Sequence, residues 1–141
     1  MASETTDRLF KIALASEFES FKAGGKICSS LDAADGFVHL SDRNQTPNVA
    51  GLFFKDAKDL MLIEIDATKL VGTVKWVIGK IGDSSPEGSD LLGADTSVVH
   101  FLLPEGCAHV YGPNGVPTSA IVRQEAVPLG DDGKFTFPDW M

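Results

Sequence analysis

Short connections between strand-like segments are the feature of this chain that most restricts its fold. Segments rich in β-branched and other apolar residues recur along the 141 residues, and turn residues such as Gly, Pro and Asp separate most of them. Most of these connections are too short for the helix that a parallel crossover requires. The pattern therefore predicts an α+β domain with a mainly antiparallel sheet, and it argues against a Rossmann fold.

Two short helices are expected in the N-terminal half of the chain. Ser16 and Glu19 form a capping-box pattern for the first helix, and Gly24-Gly25 ends it. Thr46-Pro47 predicts the start of the second helix, with Thr46 as its N-cap. Its apolar inner side is predicted to consist of Val49, Ala50, Leu52 and Phe53. Strands are predicted over residues 9–14, 60–65, 73–78, 98–103 and 119–127 and around His39 and His109, with a surface loop over 82–97.

Size and charge narrow the classes of protein to which the chain can belong. Its length fits one domain over residues 9–141, preceded by a disordered tail at 1–8. The net charge of −8 and the scattered lysines argue against binding to nucleic acid or to an anionic membrane. No secretory signal is visible, so we expect a cytoplasmic protein with Cys28 and Cys107 as buried, inert thiols rather than a disulfide.

Two separate segments each place polar side chains on one face of a strand. Phe37, His39 and Ser41 alternate along the first segment, and His109 and Tyr111 alternate along the second. The opposite faces carry Val38, Leu40, Ala108 and Val110. An apolar face for the core, backed by imidazole, hydroxyl and phenol groups, predicts a ligand cleft between sheets.

Three histidines on strands also raise the question of a zinc site. His39, His100 and His109 lack the short spacings that place two ligands on one element. His100 lies within an apolar strand and is expected to be a core or edge-strand residue. The sequence therefore predicts no metal.

The chain resembles the domain of unknown function 952 family (DUF952) over about residues 9–138. The resemblance rests on Asp35-Gly36-Phe37-Val38-His39-Leu40-Ser41, Leu62-Ile63-Glu64-Ile65-Asp66, Lys75-Trp76 and His109-Val110-Tyr111-Gly112-Pro113, in this order. That family is itself similar to the ADP-ribosyltransferase superfold, a split antiparallel β-structure that binds NAD in its cleft. The resemblance thus implies an ADP-ribosyltransferase-like fold for this chain.

The resemblance also implies roles for individual residues. The family's motif positions fall on His39, Ser41, Trp76, His109 and Tyr111, whereas Val77 stands where family members tend to carry an acidic residue. In an NAD-using transferase or glycohydrolase, His39 would hydrogen-bond a ribose hydroxyl, and Ser41 would hold an amide or phosphate. Tyr111 or Trp76 would stack on a ring of the cofactor. The implied catalytic set is His39, Ser41, His109, Tyr111 and Glu125, and the implied cofactor-binding set is Phe37, Trp76 and Arg123.

Glu125 is the candidate carboxylate for a cationic transition state, and it shares a strand face with Arg123. A solvated ion pair on an edge strand is the simpler interpretation of these two residues. Two hypotheses for the whole protein remain open. The first is a small-molecule site, for a nucleotide or an NAD-like ligand, with or without catalysis. The second is a non-enzymatic structural or interaction domain in which the histidine segments brace the sheets.

Overall fold

The structure is a computed structural model that describes residues 7–84, 96–112 and 115–141. Two sequence expectations fall partly outside these ranges. They are the disordered tail at 1–8, of which residues 1–6 are not described, and the loop expected over 82–97, of which residues 85–95 are not described.

Three helices alternate with the first four strands, and the strands that follow are described without a further α-helix. Their bounds are β1 (Arg8–Leu14), α1 (Ala15–Gly24), β2 (Lys26–Ile27), α2 (Ser30–Asp35), β3 (Val38–Ser41), α3 (Thr46–Phe53), β4 (Leu60–Asp66), β5 (Thr73–Gly79), β6 (Thr96–Leu102), β7 (Cys107–Tyr111), β8 (Val116–Pro117) and β9 (Ile121–Val127). Two 3-10 turns, Ala67–Lys69 and Thr118–Ala120, precede β5 and β9. Residues 119–120, expected in the last strand, therefore belong to a turn instead.

One large sheet organises the molecule. Its strand order is β5-β6-β7-β3-β1-β4-β9, and β2 and β8 form a separate two-stranded sheet. The predicted α+β class, single domain and mainly antiparallel pairing are confirmed, with one parallel pair, β5 and β6. The connection between Gly79 and Thr96 is long enough for a parallel crossover.

A hydrogen bond at each terminus marks where the first helix begins and ends. Its N-cap is Leu14, whose N–H donates to the Glu17 carboxylate at 3.0 Å, so the helix starts earlier than the Ser16 pattern predicts. Gly25 ends it in the left-handed conformation with φ 75°, as predicted, and its N–H donates to the Phe21 carbonyl. Phe18 and Phe21 are buried under the sheet, which fixes α1 against one face.

The other two helices depart from expectation. Helix α2 was not predicted, although Ser29 caps it by accepting from the Asp32 N–H. Helix α3 has Gln45, not Thr46, at its N-cap, and it buries Ala50. Leu52 and Phe53 are 72% and 69% exposed, so the predicted inner side of this helix is wrong for both. An eight-residue helix packed against β1 can turn only part of its circumference to the core.

The sheet has an apolar core on each face. One core lies under α1 and includes Leu9, Val38, Leu40 and Phe101. The other contains Phe10, Ile12 and Ala50, with Phe135, Phe137 and Trp140 of the C-terminal segment packed against it. Strand β1 pairs with β4 along its whole length but with β3 at Phe10 opposite Ser41, so the sheet opens between β1 and β3. No helix among the described residues is long and apolar enough to cross a membrane.

Candidate functional site

A cleft of about 750 Å³ lies where β1 and β3 diverge. Helix α2 borders it on one side and α3 on the other, so it lies between a sheet and helices rather than between two sheets. Its apolar lining includes Phe10, Ile12, Leu14, Leu31, Val49, Phe53 and Phe54, and its polar lining includes Lys11, Glu17, Ser29, Ser30, Asp35, His39, Ser41, Lys55, Cys107 and His109. The two histidine segments therefore meet at a cavity of ligand size.

Four of the predicted site residues form one cluster of rings. His39 and His109 are directly opposite each other on β3 and β7, with ring centroids 5.4 Å apart. The Phe37 ring lies 4.6 Å from His39, 4.3 Å from His109 and 4.9 Å from Tyr111. The alternation predicted for these segments is confirmed, because Val38, Leu40, Ala108 and Val110 all lie in the core on the other face.

The third histidine completes a row across three strands. His100 on β6 pairs with His109 on β7, which pairs with His39 on β3. His100 is buried, as predicted for a core position. Val77, which stands where the family tends to have an acid, is opposite His100 in the same row. In the described ranges no group of three or more His, Cys, Asp or Glu side chains is arranged to hold a metal ion.

A buried carboxylate holds His39 in place. Asp32, on α2, lies 2.7 Å from His39 Nδ1 and also accepts from the His39 N–H, the Ser29 N–H and Lys11 Nζ. Lys11 Nζ donates to the His39 carbonyl as well, at 3.0 Å, so it fills the opening between β1 and β3. Burial favours a higher pKa for Asp32, but the hydrogen bonds and the Lys11 charge hold that pKa well below its ordinary value.

A second carboxylate faces the other nitrogen of His39. Asp35, the last residue of α2, places Oδ2 2.9 Å from His39 Nε2, and its side chain is 41% exposed. Both ring nitrogens of His39 thus face carboxylate oxygens, one buried and one at the cleft. A molecule that binds His39 Nε2 from the cleft must displace Asp35 from it.

The neighbouring His109 has different surroundings. Burial lowers its pKa to about 4, and the nearby His39 and His100 act in the same direction. At neutral pH the His109 imidazole is therefore uncharged. It provides a ring surface and a hydrogen-bonding nitrogen rather than a cation.

The Ser41 side chain belongs to a buried hydrogen-bond network that stabilises the fold. Its hydroxyl lies 2.8 Å from the Thr46 hydroxyl, which donates to the Asp42 carbonyl at 2.7 Å. Both side chains are buried. Ser41 therefore joins β3 to the start of α3, and its hydroxyl already has a partner.

Three predicted site residues lie elsewhere. Trp76 packs on the opposite face of the sheet, 5.9 Å from the Phe101 ring. Arg123 and Glu125 lie on β9, the far edge strand, where Arg123 donates to Glu64 at 3.1 Å and Glu125 accepts from Trp140 at 3.2 Å. Three strand spacings, roughly 14 Å, separate β9 from β3. The structure does not bring these side chains to the histidine cluster.

Lys11, Asp32 and Asp35 belong to the site but are absent from the residues that the sequence predicts for it. Ser29 and Asp32 form a capping box, and this pattern is the signal that was available for both α2 and Asp32. Lys11 is a charge inside an otherwise apolar strand, which also signals a buried partner.

The two thiols differ in exposure. Both cysteines are free, but Cys28 is exposed, so the expectation that both are buried is wrong for this residue. Cys107 is half-buried in the cleft wall, and burial together with the charges of Glu105 and Asp42 raises its pKa.

Solved structures with this fold exist. The crystal structure of protein CC0527 from Caulobacter crescentus is 25% identical, with a TM-score of 0.64 over 92% of this chain and 93% of that chain. A double mutant of CC0527 gives 24% identity and the same TM-score and coverage. The solution NMR structure of CC0527 gives 21% identity and a TM-score of 0.58 over 96% and 97% of the two chains. These likenesses concern the fold.

Family membership follows from a comparison of sequence. Functionally curated proteins give no match to this chain. The model of the family described as "Protein of unknown function (DUF952)" matches residues 12–124, which include β3, the histidine row and most of β9. The chain therefore belongs to the DUF952 family.

Proposed function

We propose that the cleft beside His39 is a binding site for a small organic molecule and that His39 is the residue that recognises it. One observation supports this above the others. A cavity of about 750 Å³ adjoins a histidine whose Nδ1 is held by the buried carboxylate of Asp32. The buried Lys11–Asp32 ion pair lies behind this partly exposed imidazole, so the ring is held in one orientation at the cleft.

NAD and related nucleotides are the first ligands to test. The reason is the ADP-ribosyltransferase-like fold that the sequence resemblance implies, which also makes a transferase or glycohydrolase the reaction class to test. Such a reaction needs a carboxylate near the developing cation. Asp35 lines the cleft and Glu125 does not, so Asp35 replaces Glu125 in this proposal.

A bracing role is the second candidate. Both His39 nitrogens and the Ser41 hydroxyl already have partners within the protein. These contacts join β3 to α2 and α3. A domain that used them only to hold its helices on the sheet would show the same bonds and would bind nothing in the cleft.

An amide chemical-shift titration separates the two candidates. Labelled protein is titrated with NAD and, separately, with ADP-ribose, and the titrations are repeated with His39→Ala. Shifts at β3, β7 and α2 that disappear in this variant support the site. Glu125→Gln, at the far edge of the same sheet face, is the matched control and should leave the shifts unchanged. No shift at millimolar nucleotide would remove NAD from the proposal.

A further inference from the structure

We infer that the cleft takes an amphipathic amine, a molecule with an apolar body and a cationic head that is placed beside Asp35. This inference deepens the proposed small-molecule site and rests on it. It is carried by the separation of apolar and charged residues along the cleft wall and by the sign of the charges nearest His39.

The apolar body is suggested by exposed side chains at the mouth. Leu31 on α2 is 51% exposed and Phe53 on α3 is 69% exposed, and both line the same cleft from opposite sides. Phe10 and Phe54 continue this apolar surface inward. An apolar ligand would cover side chains that otherwise face water, and this burial would stabilise the complex.

The head group is suggested by charge. Lys11 is buried and paired with Asp32, so its charge is already compensated at the cleft floor. Beside His39 the cleft wall presents the Asp35 carboxylate, with Oδ2 2.9 Å from His39 Nε2, whereas Glu17 and Lys55, of opposite charge, also line the cleft. Asp35 is half-exposed and has oxygen acceptors for an ammonium group. A carboxylate or phosphate in the same place would face a like charge.

The Asp35 carboxylate also restricts how a dinucleotide can bind. We expect NAD to place its cationic pyridinium ring beside Asp35, because a pyrophosphate there would face a like charge.

Three matched probes test the inference: 2-phenylethylamine, 2-phenylethanol and 3-phenylpropanoate. Dissociation constants come from amide shift titrations at pH 7. We expect all shifts to map to the cleft. The amine should bind about fivefold more tightly than the alcohol, because it gains one half-exposed ion pair with Asp35, and the carboxylate should bind most weakly. Asp35→Asn should make amine and alcohol equal, whereas Asp131→Asn, an exposed carboxylate outside the cleft, should change nothing.

A second pair of variants tests the apolar body. Phe53→Ser should weaken all three probes, and Leu52→Ser, its equally exposed neighbour that does not line the cleft, should not. If the alcohol binds in the cleft but the amine is no tighter than the carboxylate, the head-group inference fails and the small-molecule site stands. If no probe shifts cleft residues, this inference is overturned, and the NAD titration above decides the proposed function independently.

Discussion

Two buried carboxylates, Asp32 on α2 and Glu64 on β4, have similar partners but different surroundings. Asp32 is paired with Lys11 and His39, and Glu64 is paired with Arg8 and Arg123. The Asp32 and Glu64 side chains are 1% and 7% exposed. The first carboxylate adjoins the cleft. The second lies beside the C-terminal segment, where Trp140 covers the Arg123 guanidinium at 4.5 Å and its carbonyl accepts from Arg8.

The comparison shows that a buried carboxylate with cationic partners is not evidence of a functional site. What distinguishes Asp32 is the space next to it and the imidazole that it orients. At Glu64 the aromatic residues of the C-terminal segment fill the corresponding space, so the network only joins β1, β4 and β9. Both carboxylates have cationic partners, but only Asp32 adjoins a cavity.

The largest expected difference between the two regions is in stability. Lys11→Met leaves the Asp32 carboxylate buried without its main cation and should lower the free energy of unfolding by about 3–5 kcal/mol. Arg123→Met should cost about 1 kcal/mol or less, because Arg123 is 47% exposed and Arg8 remains beside Glu64. Denaturant unfolding of both variants measures this. Equal losses would mean that the Lys11–Asp32 pair is as solvent-accessible as the Arg123–Glu64 pair. The double variant Lys11→Met with Asp32→Leu should recover much of the stability that Lys11→Met loses, because no unpaired charge then remains buried.

The next largest effect is a pH dependence of stability that comes from His109 in the ring cluster. The pKa of His109 is about 4 in the folded protein and 6.5 ordinarily, so between these values the unfolded chain binds more protons. Stability should therefore fall as the pH decreases from 6.5 towards 4. Denaturant midpoints measured from pH 7.5 to 4.5 should show this slope in the native chain and a shallower one in His109→Gln. The same slope in both proteins would assign it to another group.

A smaller effect is expected at the Glu64 end. Trp140→Ala removes the ring over Arg123 and the hydrogen bond to Glu125, and it should cost about 1 kcal/mol. The amide shifts of β3, β7 and α2 should be unchanged, because these elements lie on the other side of β1. Shifts that spread to His39 would show that the two networks are coupled.

The smallest effect concerns thiol chemistry. Cys28 is exposed, whereas Cys107 is half-buried with a raised pKa, so Cys28 should react faster with an alkylating agent at pH 8. Mass spectrometry of partially labelled protein gives the two rates. A cleft ligand should slow the reaction of Cys107 and leave Cys28 unaffected, and the reverse order of rates would contradict the burial of Cys107.

Local patterns could be predicted where one short-range interaction decides them. The left-handed stop at Gly25, the alternation of His39 with Val38 and Leu40, and the strand over residues 60–65 follow from backbone geometry and side-chain period alone. Leu52 and Phe53 were misassigned because helical spacing identifies an apolar side but not whether the sheet extends far enough to cover it.

Residue period and connection length are enough to predict the α+β class, the mainly antiparallel sheet and the shared face of each histidine segment. They do not predict that His39 and His109 are direct neighbours, that Asp32 and Lys11 lie behind them, or that Trp76, Arg123 and Glu125 do not join them. Strand order and register are set by packing between residues distant in sequence. A side chain's face can be inferred from its own strand, but its neighbours across the sheet cannot.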